Sequence, residues 1–259
     1  MKKYLLISSL AVLLIGGFTL VSYAGHSWGG YHWARTANPF TLKVGDNVSA
    51  VWDSSLALAV YDWSLSSVLD LSAVAGSTAP KSCRPKAGRI EACNAKYGNN
   101  GWLGLASIWA SGTHITQATA KMNDTYFNTP TYNTSAWRNL VLCQELAHGL
   151  GLDHQDENFN NPNLGSCMDY TSNPGTNQHP NKHDYDELAL IYAHLDTSST
   201  ISQKSFPGQG NFDNPTEWGR LVKKEGRVAV FERDFGLGNK LFTFVIYAVL
   251  RSRRDGKEN

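Results

Sequence analysis

The chain has almost no net charge: 23 Lys and Arg stand against 22 Asp and Glu, a formal +1 over 259 residues. With no excess of basic residues it lacks the electrostatic footprint of a nucleic-acid binder. Charged residues make up only 17% of the chain against 42% hydrophobic, which excludes a highly charged disordered protein. No internal repeat is evident, and the length supports one substantial core, alone or with a small appendage, rather than two equal domains. Cysteine is scarce at four residues, none of them before Cys83. What the chain does hold in quantity is Gly (23), Tyr (11) and Trp (8), the composition of a folded, loop-rich globule.

Only one long apolar run occurs, Leu5 to Val21, preceded by Lys2 and Lys3 and followed by Ser22-Tyr23-Ala24. Residues 1–24 therefore read as a secretory signal with a small-x-small cleavage site after Ala24. An uncleaved anchor is the other reading, since the run approaches the length needed to span a bilayer. Cleavage predicts a secreted or extracytoplasmic protein with no stable membrane association. In that setting the four cysteines read as two disulfides. Cys83 and Cys93 flank a short turn-rich segment and suit a local bridge. Cys143 with Cys167 would then staple a helix to a loop, and crossed pairs or free thiols are the alternatives.

Residues 25–40 are Gly- and aromatic-rich and predict extended chain; His26 and His32 within them read as surface residues, with metal binding as the other reading. Apolar spacing from Asn47 to Ser64 predicts an amphipathic helix capped by Asn47 or Ser49. Strands are expected at Val68–Val74, Arg89–Ala95, Leu103–Trp109 and His114–Lys121. Asn133 or Thr134 can cap a helix running to about Leu150. Asp153 to Gly165 reads as loop, and Asp184 to His194 as a further amphipathic helix. Asp196 to Asn214 reads as a linker. Beyond it, the alternating runs RVAVFER and KLFTFVIYAVL predict strands of a small appendage.

The most informative stretch is Gln144-Glu145-Leu146-Ala147-His148-Gly149-Leu150-Gly151-Leu152-Asp153-His154. On a helix, positions 144 and 148 share one face and can share a metal ion. Glu145 beside them can serve as general base, and Gly151 permits a left-handed turn that swings His154 toward the same ion. Fourteen residues later comes Met168, in Ser166-Cys167-Met168-Asp169-Tyr170.

These residues resemble the metzincin zinc metalloproteases, and the sheet-then-helix order is most similar to the secreted matrixin-type members. The long zinc motif matches at Glu145, His148, Gly151 and His154, and Met168 corresponds to the family's Met-turn. The resemblance implies an α+β fold: a twisted mixed sheet with an edge strand over the cleft, a zinc-site helix and a Met-turn, spanning residues 25–195. Residues 196–259 would form the linker and a small C-terminal β-rich appendage. It implies Zn2+ as cofactor, a protein or peptide substrate, and hydrolysis by a zinc-activated water with Glu145 as base. Tyr170, two residues after the methionine, would reach the zinc or the tetrahedral intermediate, or else simply pack. Gly112 to Met122 is the candidate edge strand, with a plain surface strand as the alternative. Absence of a long propeptide and of an early cysteine argues against latency by a zinc-bound cysteine.

The departure is Gln144, where the family pattern has histidine. Three readings follow: Gln144 ligates through its side-chain oxygen; one of His114, His179 and His183 completes the site; or the protein is a catalytically silent binding protein on the same fold. Asp153, Asp156 and Glu157, in an Asn-rich loop, offer oxygen ligands for Ca2+, although the EF-hand spacing is missing and a solvated loop is the preferred reading.

Overall fold

The computed structural model describes residues 25–201 and 212–249. The expected signal segment and most of the expected linker lie outside the described residues. The protein is mixed α+β: the described residues form nine strands in one large mixed sheet, and few helices. No described helix is long and apolar enough to cross a membrane.

The strands are β1 (His32–Trp33), β2 (Phe40–Asn47), β3 (Leu69–Ala75), β4 (Arg89–Ala95), β5 (Trp102–Ser111), β6 (His114–Asn123), β7 (Arg220–Glu225), β8 (Val228–Gly236) and β9 (Asn239–Tyr247). The helices are α1 (Asp53–Trp63), the single turn α2 (Asp124–Phe127), α3 (Ser135–His148) and α4 (Lys182–Ile191). Sheet order is β3-β2-β4-β6-β5-β9-β8-β7, with β1 pairing to β6 beside this row. The pairs β2/β3, β2/β4 and β4/β6 are parallel, whereas every pair from β5 onward is antiparallel. Short β1 pairs with His114 and Ile115, on the side of β6 that β4 takes from Ala118 onward.

Three expectations need correction. The helix expected from Asn47 is present but starts later and without the expected cap, because residues up to Asn47 are strand: Phe40, Leu42 and Val44 are buried while Thr41 and Lys43 are exposed, the period-two burial of a half-covered strand. Asn47 ends that strand, where its amide donates to Glu91 Oε2 at 2.6 Å, and the helix begins at Asp53. Second, the Gly112–Met122 stretch is not an edge. It falls on β6, which sits between β4 and β5. Third, the C-terminal strands are β-rich as expected but form no separate appendage, because β9 pairs with β5 along its whole length, from Trp102↔Tyr247 to Ser111↔Asn239. The alternation in KLFTFVIYAVL is the signature of a strand; sequence period alone does not say which neighbour it joins.

Both expected disulfides are present, Cys83–Cys93 and Cys143–Cys167. Helix α3 begins as anticipated, with the Thr134 hydroxyl accepting from the Trp137 amide, and packs against α1. Its apolar face, including Leu140, Val141, Leu142 and Leu146, closes the main core against the sheet. Such a cap is worth about 0.5–2 kcal/mol. Helix α4 starts earlier than Asp184, at Lys182, because Asn181 and Asp184 form a capping box.

Candidate metal centre

The last turn of α3 carries the site, and the aromatic N-terminal segment secures that turn. Terminal carbonyls of a helix lack intrahelical donors. Here Trp28 Nε1 donates to the His148 carbonyl (3.3 Å), Trp33 Nε1 to that of Gly149 (2.8 Å), and the Tyr192 hydroxyl to that of Leu150 (2.9 Å). Earlier in the helix, Trp63 Nε1 donates to the Cys143 carbonyl. Nothing in the spacing of these aromatics marks them as helix-end donors. Their abundance in the opening segment was the only signal.

Gly151 then turns the chain with φ +100°, and a Cβ there would lie 2.2 Å from the Tyr31 carbonyl oxygen. The turn brings His154 back to α3, with the His148 and His154 ring centroids 4.6 Å apart. Each ring is held through Nδ1. His148 Nδ1 donates to the Leu152 carbonyl at 2.9 Å, which leaves its Nε2 as the lone-pair nitrogen. His154 Nδ1 lies 2.7 Å from the Tyr170 hydroxyl and 3.2 Å from Asp153 Oδ1.

The Met168 loop supports this arrangement from the other side. The Met168 carbonyl accepts from the Gln155 amide and the Asp156 carbonyl from the Tyr170 amide, so the two loops run together like short strands. Met168 itself is fully buried, and Cys143–Cys167 bonds its loop to α3. Tyr170 is thereby fixed on the outer nitrogen of His154, where it orients a ring.

Three buried polar atoms around these rings have no hydrogen-bond partner: Gln144 Oε1, Glu145 Oε2 and His154 Nε2. Stranding one such group typically costs about 1–3 kcal/mol. An amide oxygen, two imidazoles offering Nε2 and an adjacent carboxylate form a donor set that suits zinc, with the amide as the weakest member. Gly104 on β5 makes room for the carboxylate, since a Cβ there would lie 2.3 Å from Glu145 Oε1.

Burial sets the protonation of the group. It raises the Glu145 carboxyl well above its ordinary range. Burial, with His154 beside it, lowers His148 to about 3, and burial lowers His154 against the opposing pull of Asp153. Both rings are therefore neutral at pH 7, the form that ligates a metal.

The other candidates lie elsewhere. His179 Nδ1 meets Asp62 at 2.7 Å, His183 stacks on His26, and His114 faces His32 and Asp196. Of the expected calcium ligands, Asp153 and Glu157 both bind the Lys223 ammonium, so a side chain of β7 supplies the positive charge between them. Asp156 caps its own loop by accepting from the Asn158 amide.

The centre is closed. Glu145 and His148 are each 2% exposed and His154 6%, too little for a peptide to reach the carboxylate. The lid is β9, whose Phe244 stacks on the His148 ring with centroids 4.2 Å apart and planes 16° apart. Beside it a cleft of about 760 Å³ opens on His154, between the 153–160 loop and the β7–β8 turn.

No family model matches the chain, and no curated protein matches it.

Proposed function

We propose that the protein is a secreted, metzincin-like zinc endopeptidase held closed by its own C-terminal hairpin. One observation carries this reading: Gln144 Oε1, Glu145 Oε2 and His154 Nε2 are buried without partners beside a His148 whose ring is tethered by Nδ1. Gln144, His148 and His154 would hold the zinc, which when bound supplies the Lewis acidity that brings a water molecule within reach of a carboxylate base near neutral pH. Glu145 would serve as the base that accepts a water proton and as the acid that passes it to the leaving amine. Its raised proton affinity suits the second task, and the added positive charge of an ion favours the ionised form needed for the first. Tyr170 positions His154. On this reading the strand that would receive an extended substrate is β5, which ends the row of pre-helix strands on the side away from β3, and β9 occupies that side of it.

A second reading, a silent binding protein on the same fold, draws on two observations: the weak ligand at 144 and the ring of Phe244 over His148. Zinc content and hydrolysis of an unstructured peptide by the Phe244→Ala protein, which lacks the ring over His148, separate them. Hydrolysis abolished by adding Glu145→Ala supports the enzyme. Bound zinc without turnover, in Phe244→Ala with and without Gln144→His, supports the silent protein. Failure to retain any zinc refutes the enzyme.

A further inference from the structure

Where β1 meets the start of β6, three imidazoles and one carboxylate converge. His32 (β1) lies opposite His114 (the start of β6), and His194 and Asp196 follow α4. His32 Nε2 is 3.4 Å from Asp196 Oδ1, His114 Nε2 is 3.2 Å from the same oxygen and His194 Nε2 is 3.7 Å from it. His194 Nε2 is also 3.1 Å from His32 Nε2.

Three features make this a built site. His32 Nδ1 donates to the Gly30 carbonyl at 2.8 Å, so in the neutral ring Nε2 presents a lone pair. That lone pair faces the Asp196 oxygen and the His194 nitrogen, an arrangement that a shared cation makes favourable. Second, Asp196 is oriented from behind: its Oδ2 accepts from Arg35 Nη1 at 2.8 Å and from the Arg35 amide at 3.1 Å, leaving Oδ1 for the cluster. Arg35 also donates to the carbonyls of Tyr192 and His194, which fixes the backbone carrying two of the four groups. Metal-bound histidines and carboxylates characteristically have such outer partners. Third, the spacing fits. Tetrahedral zinc with bonds of about 2.0–2.2 Å places neighbouring ligand atoms about 3.3–3.6 Å apart; the four separations above straddle that range, His32, His114 and Asp196 hold ligand atoms within 4.8 Å of one another, and His194 joins them through His32 and Asp196.

We propose that His32, His114, His194 and Asp196 form a second zinc site, structural in character, with four protein ligands. It would clasp the N-terminal segment to the sheet and to the chain leaving α4. Since the same segment supplies Trp28 and Trp33 to the end of α3, this clasp would also steady the first centre from a distance. The proposal does not depend on the endopeptidase reading.

The test is zinc stoichiometry and thermal unfolding of the full mature chain, stripped of metal and then titrated with zinc. Half-exposed His114 and exposed His194 are suitable to replace, because neither ring is part of the core. Wild type should bind two equivalents, and His114→Ala and His194→Ala one each at the same concentrations. His148→Ala should also bind one, and X-ray absorption of that protein should report three nitrogens and one oxygen around the ion. Losing one ligand should weaken this site by more than the roughly 10–100-fold that outer partners contribute. If His114→Ala and His194→Ala bind as much zinc as wild type, and their midpoints rise equally on adding it, the four groups are an ion-pair cluster only and the proposal is overturned. A single wild-type equivalent that survives in His148→Ala but not in His114→Ala would instead refute the first centre and leave this one standing.

Discussion

Glu145 and His148 are both buried near the end of α3 and are displaced in opposite directions, which makes the acid response of the metal-stripped protein diagnostic. His148 falls from 6.5 in the unfolded chain to about 3 in the folded one. A folded value depressed in this way gives stability that is complete above 6.5 and drains away as pH falls toward 3, because only the unfolded chain accepts the proton. Glu145 runs the other way. Its folded value lies well above 4.5, so the native state holds the proton first and stability rises as pH falls toward 4.5. Each proton corresponds to about 1.4 kcal/mol per pH unit. On acidification below pH 6.5 the two contributions therefore oppose each other in the wild type. Glu145→Gln should lose stability on acidification more steeply than wild type, and His148→Leu less steeply, the latter by up to about 1.4 kcal/mol per unit. Urea midpoints at half-unit intervals, with chelator present, measure this directly. Equal slopes in the three proteins would show that these groups are not buried together, and the candidate centre would lose its physical basis.

Three more outcomes follow from the geometry. Gly151→Ala places a Cβ 2.2 Å from the Tyr31 carbonyl in a left-handed conformation, so it should cost more than the roughly 1–3 kcal/mol of backbone strain alone and reduce zinc retention, read by denaturation and metal analysis. Replacing Cys143 and Cys167 together by Ser opens a loop spanning 24 positions; chain entropy predicts a loss of about 3–4 kcal/mol, measurable as a lower urea midpoint with an intact far-UV spectrum. Phe244→Ala removes the ring over His148 and should cost about 3–5 kcal/mol; on the endopeptidase reading it also raises peptide hydrolysis above the wild-type level, which an unchanged rate would contradict.

Local signals were legible wherever a residue's own chemistry determines its surroundings. Gly151 as a turn, Thr134 as a cap and the helix that carries Gln144 and His148 are of this kind, as is the pairing of Cys143 with Cys167. The apolar alternation of β8 and β9 was equally plain. What stayed hidden was partnership at long range. Strand period does not reveal that β9 lies beside β5, and isolated histidines at 32, 114 and 194 carry no spacing that announces their meeting. Asn47 misled for a physical reason: asparagine serves equally as a helix cap and as the last residue of a strand, and here its amide satisfies buried Glu91. The tryptophans at 28 and 33 read as composition until the fold supplied the carbonyls they meet.

How firmly β9 is seated decides what the closed centre means. Leu241, Phe242, Phe244, Val245 and Ile246 are all buried along it. At about 1.5–3 kcal/mol each, withdrawing them would cost roughly 8–15 kcal/mol. With tenfold per 1.4 kcal/mol, fewer than about one molecule in 10⁵ would be open at any moment. Spontaneous opening therefore cannot supply appreciable turnover, and the intact chain should be almost inert even if every catalytic group is in place. The two functional readings diverge only once the strand is gone. Residues 25–201, prepared with and without a separately made 212–249 peptide, provide that comparison. On the endopeptidase reading the shorter chain hydrolyses an unstructured peptide, Glu145→Ala abolishes the reaction, and the added hairpin suppresses it. A shorter chain that folds, holds zinc and stays inert would make β9 a permanent part of the sheet and the protein a silent member of its fold. Should the shorter chain not fold, Phe244→Ala in the full chain poses the same question, since it thins the lid while leaving the β5–β9 ladder in place.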